Sequence, residues 1–243
     1  MAINKDSNGY TFGFAIVLVI VVGTSLALLA TGLKPAQEKN AEVKKKLEIL
    51  SAMLDLEKEG ITRKNAEEEF AKFVNLDEAI VLDMNGEVKS GIKAFDVDIR
   101  KENKDKKLKD SDKNYPLFIA KDKEGKTIYV IPIVGKGLWG PIWGNICIGE
   151  DMATIKGASF GHQGETPGLG AEIATPFFVN RWIGEKIVDD AGEFANFEIV
   201  KDGSGVNPQK VDGITGGTIT SKGVEEMANR CLAVYASYFK KLK

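Results

Sequence analysis

From Ser7 to Leu33 the chain carries no charged residue, and Phe12–Leu29 is dominated by Ile, Val, Leu, Phe, Ala and Gly. As a helix, Thr11–Leu33 spans roughly 35 Å, enough to cross a bilayer. A cleaved signal peptide is the rival reading. The apolar run is too long for a signal core, and no clean Ala-x-Ala site precedes the following charges. Gly32-Leu33-Lys34-Pro35 predicts the helix end, with a charge at the interface and a proline just beyond. The chain therefore divides into 1–34, an N-terminal segment with a single transmembrane helix, and 35–243, one domain on one side of a lipid bilayer. Lys5 is the only basic side chain before the span, whereas Lys34, Lys39, Lys44, Lys45 and Lys46 follow it. By the positive-inside rule alone, that domain is cytoplasmic.

Composition narrows the function of the domain. The whole chain has 33 Lys+Arg against 35 Asp+Glu, a net charge of −2. General nucleic-acid binding needs a basic excess. One His and two Cys leave no His-rich or Cys-rich metal centre and no disulfide framework. A hydrolase reading fails, because His162 is the only imidazole and no G-x-S-x-G elbow occurs.

Hydropathy patterning predicts an α+β domain with a mainly antiparallel sheet and flanking helices. Val43, Leu47, Leu50 and Leu54 form one stripe of a helix over 36–58. A second helix is expected over 62–74, with Ala66, Phe70 and Phe73 on one side. Strands are expected at 79–82, 117–120, 127–134, 142–148 and 197–201, with Asn85-Gly86 as a hairpin turn. Pro132 implies an edge or a bulge in its strand, and the charged stretch 101–113 reads as a surface loop. Thr175-Pro176 opens a helix to about Gly184, with Thr as cap. The last helix is expected over 221–240, with Val224, Met227, Cys231, Val234, Tyr235 and Tyr238 as its apolar face. Cys147 and Cys231 then fall in a strand and on that face, as buried small hydrophobes.

Two constellations carry chemistry. Asp212-Gly213-Ile214-Thr215-Gly216-Gly217-Thr218-Ile219-Thr220-Ser221 is a glycine-rich, hydroxyl-rich turn feeding a helix N-terminus. Free amides and the helix dipole make such a place a phosphate site. An ordinary hydroxyl cap is the competing reading, and Ser221 is the best cap candidate, with Glu225 and Glu226 then near the first turn. His162-Gln163-Gly164-Glu165-Thr166-Pro167-Gly168-Leu169-Gly170-Ala171-Glu172 has too few ligands for zinc and the wrong spacing for calcium. It reads either as a long surface turn or as a rigid wall, tipped by Leu169, for a flat aromatic group.

With Gly137-Leu138-Trp139-Gly140-Pro141, these stretches resemble the C subunits of bacterial sodium-translocating NADH:quinone oxidoreductases, a family of FMN-binding domains, over essentially the whole chain. The family's flavinylation pattern is D-x-x-[ST]-G-A-T. Asp212–Thr218 matches it, with Gly217 where Ala is usual. The resemblance implies FMN bound covalently through a phosphodiester to Thr218, installed by a separate flavin transferase that reads Asp212. It implies Thr215, Gly216 and Gly217 around the phosphate, and Glu165, Thr166 and Leu169 lining the flavin pocket. Lys201 sits where the family has a pocket lysine, with a surface lysine as the bland alternative. No residue on the chain is expected to bind NADH, quinone or a metal.

The implied function is one-electron relay within a membrane NADH:quinone oxidoreductase that couples electron transfer to sodium translocation. Its partners are other subunits, including a second flavin-bearing membrane subunit. The family lies in the bacterial cytoplasmic membrane with the flavin domain extracytoplasmic, against the charge rule. Two rivals are the G subunit of an Rnf-type electron-transport complex and a non-redox, membrane-tethered binding module.

Overall fold

The computed structural model describes residues 7–201 and 208–242. Lys5 lies outside them. Two compact units are present, Met1–Lys45 and Lys46–Lys243. Helix α1, Asn8–Leu50, forms the described part of the first and is long and apolar enough to cross a membrane. The apolar side chains of its uncharged stretch, Phe12, Ile16, Val19 and Leu28 among them, are exposed.

The helix end predicted at Gly32–Pro35 is not there, because α1 continues through Pro35. Proline removes one backbone bond and usually kinks a helix. Here the following residues, 36–46, are mostly Ala, Gln, Glu and Lys, which are strong helix formers. The span and the expected 36–58 helix are thus one element, and it stops at Leu50 rather than 58. Its end has a tertiary cause. The Glu48 carbonyl, which the Ala52 amide would need to extend the helix, accepts from Asn145 Nδ2 (3.0 Å) and Ser159 Oγ (3.1 Å) instead. The Glu48 carboxylate pairs with Arg100 and accepts from Trp143 Nε1 (3.2 Å), while the guanidinium lies 3.9 Å from the Trp143 ring centroid.

Helix α2, Ala66–Phe73, is shorter than predicted, because Asn65 Oδ1 accepts from the Thr62 amide and holds 62–65 as a turn (2.7 Å). Strands β1 (Ile80–Leu82) and β2 (Val88–Lys89) form the expected hairpin, with Gly86 at φ +73°. The supposed loop 101–113 is partly helical. Helix α3, Ile99–Lys104, is capped by Asp98, which accepts from the Lys101 amide (3.1 Å).

Strands β3 (Tyr115–Lys121), β4 (Thr127–Lys136), β5 (Pro141–Ile148) and β6 (Ile155–His162) complete an antiparallel six-stranded sheet ordered β2-β1-β3-β4-β5-β6. β4 is not an edge strand, contrary to the reading of Pro132. The ladder with β3 ends at Phe118↔Val130, so Pro132 pairs only with β5, opposite Asn145. Its missing N–H therefore interrupts no β3 partner.

Helix α4 is a single turn, Pro176–Val179, followed by a 3₁₀ turn over 180–182, in place of the predicted helix to Gly184. Thr175 Oγ1 donates to the Glu172 carbonyl (2.8 Å) rather than capping α4. Strands β7 (Glu198–Val200) and β8 (Lys210–Asp212) form a small parallel pair. Helix α5, Thr218–Leu242, packs on the main sheet.

Alternate residues of β4 enter two cores. Tyr129, Ile131 and Ile133 meet Met227, Cys231, Tyr235 and Phe239 of α5, while Ile128 and Val130 join Ile49, Leu50, Phe70 and Phe118. This is the α+β architecture the patterning predicts. Cys147 and Cys231 are buried in these layers, and burial pushes the Cys147 thiol up to about 12.

The α5–β4 seam is tight enough to test. A methyl on Gly223 would fall 2.3 Å from the Lys136 carbonyl oxygen. Alanine favours a helix by about 1 kcal/mol, but displacing packed backbone costs ~1–3 kcal/mol or more. Gly223→Ala should therefore lower stability. Denaturant unfolding showing a gain would refute this packing.

Candidate functional site

The glycine-rich turn and the Glu165 loop are brought together, and backbone geometry does it. β8 ends at Asp212 and α5 begins at Thr218. Between them, the Gly213 amide donates to Val200 (2.7 Å) and the Gly217 amide to Ile214 (2.9 Å). Gly216 takes φ +76°, a conformation that favours glycine. A Cβ at Gly216 would sit 2.6 Å from Leu169 Cδ2, so the Leu169 side chain lies directly against the turn.

α5 starts three residues before the predicted Ser221 cap. Ser221 is buried inside the first turn, and its Oγ accepts from the Ile214 amide (3.1 Å). No acidic residue falls in the first turn of α5. The amides of Thr218, Ile219 and Thr220 have no acceptor among the described residues. Among the described residues, three amide donors at this helix end are therefore without partners, and the Glu165 carboxylate on Thr220 is the anion nearest to them by hydrogen bonding.

The four hydroxyls are unequal. Thr220 is buried and donates to Glu165 Oε2 (2.5 Å). Ser221 is occupied as described. Thr215 is exposed on the loop. Thr218 is half-buried at the first helical position, and its hydroxyl makes no hydrogen bond among the described residues. It opens into a shallow recess also lined by Ile199, Lys201, Gly213, Ile214, Ser221 and Lys222. Strand β7 brings Lys201 here, because Asn229 of α5 holds both backbone groups of Phe197 and Glu225 accepts from the Ile199 amide. Lys201 itself is exposed.

Glu165 is 4% exposed. Its Oε1 accepts from the Trp139 amide (2.8 Å) and its Oε2 from Thr220, so the carboxylate ties the β4–β5 turn, its own loop and α5 together. Gly137 and Gly170 leave it room: a methyl on either would come within 2.5 Å of a Glu165 oxygen. His162 is structural, its Nδ1 accepting from the Glu165 amide (3.1 Å), and Glu172 closes the loop by accepting from the Gly168 amide (2.9 Å). Thr166 is exposed, and neither it, Glu165 nor Leu169 lines the Thr218 recess.

Residues 137–233 match the family described as FMN-binding domain. A relative from Haemophilus ducreyi, named as the C subunit of a Na(+)-translocating NADH-quinone reductase, is 31% identical over 91% of this chain and 88% of its own. Its Yersinia pestis namesake is 33% identical over 93% and 89%. The chain belongs to this C-subunit family. The crystal structure of the corresponding C subunit from Parabacteroides distasonis matches with a TM-score of 0.72 at 38% identity, covering 85% of this chain and 96% of that one. NqrC from Shewanella oneidensis gives 0.65 at 26% identity, covering 85% and 98%.

In this member of the C-subunit family, a methyl on Gly217 would meet Ile214 Cγ2 at 3.0 Å and the Leu169 carbonyl carbon at 3.2 Å. Glycine is thus the easier fit at the one position that departs from the family pattern. Sequence reading missed Arg181, whose Nη1 donates to the Asp212 (2.6 Å) and Gly213 (3.0 Å) carbonyls. The signal on offer was scarcity: the chain has only four arginines. Three of them, Arg100, Arg181 and Arg230, grip backbone or aromatic partners. Exposed Phe177 was likewise not singled out.

Proposed function

We propose that this chain is the electron-carrier subunit of a sodium-translocating NADH:quinone oxidoreductase, carrying FMN through a phosphodiester to Thr218. The supporting observation is a hydroxyl and three amides at the α5 N-terminus that have no partner among the described residues, beside Lys201 and Lys222. That donor set fits a phosphate. Thr218 would hold the phosphoryl group, with Thr215, Gly216 and Gly217 forming the turn around it. The amides and the two lysines would balance its charge. Leu169, with Thr166 beside it, would wall the ring, and Glu165 would lock that wall in place. Bound there, FMN supplies one-electron chemistry; the chain supplies position, exposure and electrostatics. Covalent attachment suits a carrier at a solvent-facing surface.

The partners in this reading are the other subunits, including a second flavin-bearing membrane subunit, together with a flavin transferase and the bilayer. α1 would anchor the chain in the bacterial cytoplasmic membrane, with the flavin domain extracytoplasmic. Long domains translocate largely regardless of flanking charge. A reporter fused to the C-terminus should be active only outside the cytoplasm, and cytoplasmic activity would reverse the orientation. The central test is the absorption spectrum of the protein purified from cells containing the transferase. Flavin bands that survive acid precipitation support the reading, and a colourless protein ends it.

Leu169→Ala should keep the covalent flavin. The side chain is 41% exposed, so the stability change should stay below about 1 kcal/mol, far from the ~2–5 kcal/mol of a fully buried Leu. Flavin fluorescence and midpoint potential should shift together. If neither moves, Leu169 is no part of the ring's surroundings.

A further inference from the structure

We propose that Arg181 is a positioning residue for flavin loading: it holds the turn that presents Thr218 in the shape a transferase accepts. This rests on the reading of Thr218 above.

Arg181 follows α4 and reaches across 31 residues of sequence to the end of β8. Both hydrogens of its Nη1 are used, one on the Asp212 carbonyl at 2.6 Å and one on the Gly213 carbonyl at 3.0 Å. The guanidinium lies 4.0 Å from the Phe177 ring centroid, which fixes its plane. It thus holds two successive peptide units where the chain leaves the strand. Ser221 Oγ holds the second of these units from its other side, by accepting from the Ile214 amide, and Gly217 closes the turn onto Ile214. Only Thr215 and Gly216 in this turn are exposed.

The turn is confined on its other side. A Cβ at Gly213 would sit 2.9 Å from Ile199 Cγ2 and 3.2 Å from the Val200 oxygen. Arg181 thus grips the carbonyl side of two peptide groups whose N–H sides are held by Val200 and Ser221, inside a narrow slot. Without it, both groups are held from the N–H side alone, and the turn that leads to Thr218 loosens. Phe177 is 64% exposed and Arg181 only half-buried, so this grip lies outside the hydrophobic core and its loss leaves the fold standing.

The reaction served is a phosphoryl transfer. Thr218 Oγ forms the new P–O bond to the flavin mononucleotide phosphorus of a flavin dinucleotide. The phosphoanhydride bond breaks, the other mononucleotide leaves, and the hydroxyl proton passes to solvent. Displacement of an acceptor by about 1 Å costs such a reaction up to about 100-fold in rate.

The experiment follows covalent fluorescence on denaturing gels with time. Full-length apo-chain in detergent is incubated with transferase and flavin adenine dinucleotide. Arg181→Met, which keeps length without charge, should lower the second-order rate of labelling roughly 10–100-fold with an unchanged melting temperature. Arg181→Lys, which keeps a donor but not the stacking plane, should recover part of the rate. Equal rates for wild type and Arg181→Met overturn the proposal, as does a slowing that merely follows a fall in melting temperature. An unlabelled wild type, by contrast, refutes the Thr218 reading itself.

Discussion

Thr218→Ala should yield a folded protein with no covalent flavin and no electron transfer. Four hydroxyls crowd the start of α5, and residue type alone does not choose among them. Their engagements do. Thr220 is committed to Glu165 and Ser221 to the Ile214 amide, both within the buried first turn. Thr215 precedes the two glycines and sits on the exposed loop. Thr218 follows them at the first helical position, where its own amide and those of Ile219 and Thr220 have no acceptor among the described residues. Because its hydroxyl has no partner among the described residues, alanine removes no hydrogen bond. The stability change should stay within about 0.5 kcal/mol, as for substitutions away from buried features. Thr220→Ala should do the reverse. It should keep the adduct but lose roughly 1–3 kcal/mol, because a buried carboxylate oxygen is left without its donor. In-gel fluorescence under ultraviolet light reads the first effect, thermal melting the second, and peptide mass spectrometry locates the adduct. A fluorescent Thr218→Ala band, or an FMN mass on another residue, would sink the assignment.

The strands over 117–120, 127–134 and 142–148 were legible because their apolar runs serve two cores on alternating faces. β6 was not, and its neighbours explain why. Gly157 lets the Ala52 carbonyl approach to 2.2 Å of where a Cβ would be, and Gly161 makes room for the Trp143 ring. Residues chosen for close approach carry no strand signal of their own. The α1 terminus was hidden for a similar reason, since it depends on Asn145 and Ser159, about a hundred residues away. The glycine-rich turn was legible as a helix start because glycines and hydroxyls act locally. The true start at Thr218 was not. It depends on Ser221 turning inward to close the preceding loop, which a capping rule cannot anticipate. Arg181 lies in a segment without a motif, and its partners are backbone carbonyls, which have no residue type to read.

Glu165→Ala should be the most disruptive single change in the loop. The carboxylate is 4% exposed, and both oxygens are used, one on the Trp139 amide and one on Thr220. Hydrogen bonds to an ionised group are about twice as strong as neutral ones. Removing the acceptor orphans two donors, at roughly 1–3 kcal/mol each, and leaves a void that Gly137 and Gly170 cannot fill. A loss of about 2–4 kcal/mol follows. For a domain of this size that lowers the melting temperature by about 5–15 °C. Glu165→Gln separates shape from charge. Its amide oxygen can accept from Trp139 while its nitrogen donates to a rotated Thr220 hydroxyl, so most of the stability should remain. Covalent flavin should still form on Thr218 in both variants, since Glu165 does not line the Thr218 recess. With alanine, however, the Leu169 wall loses its attachment to α5, and flavin fluorescence should change with it. If Glu165→Ala melts with the wild type and keeps its fluorescence, the carboxylate joins nothing, and the loop is an ordinary surface turn.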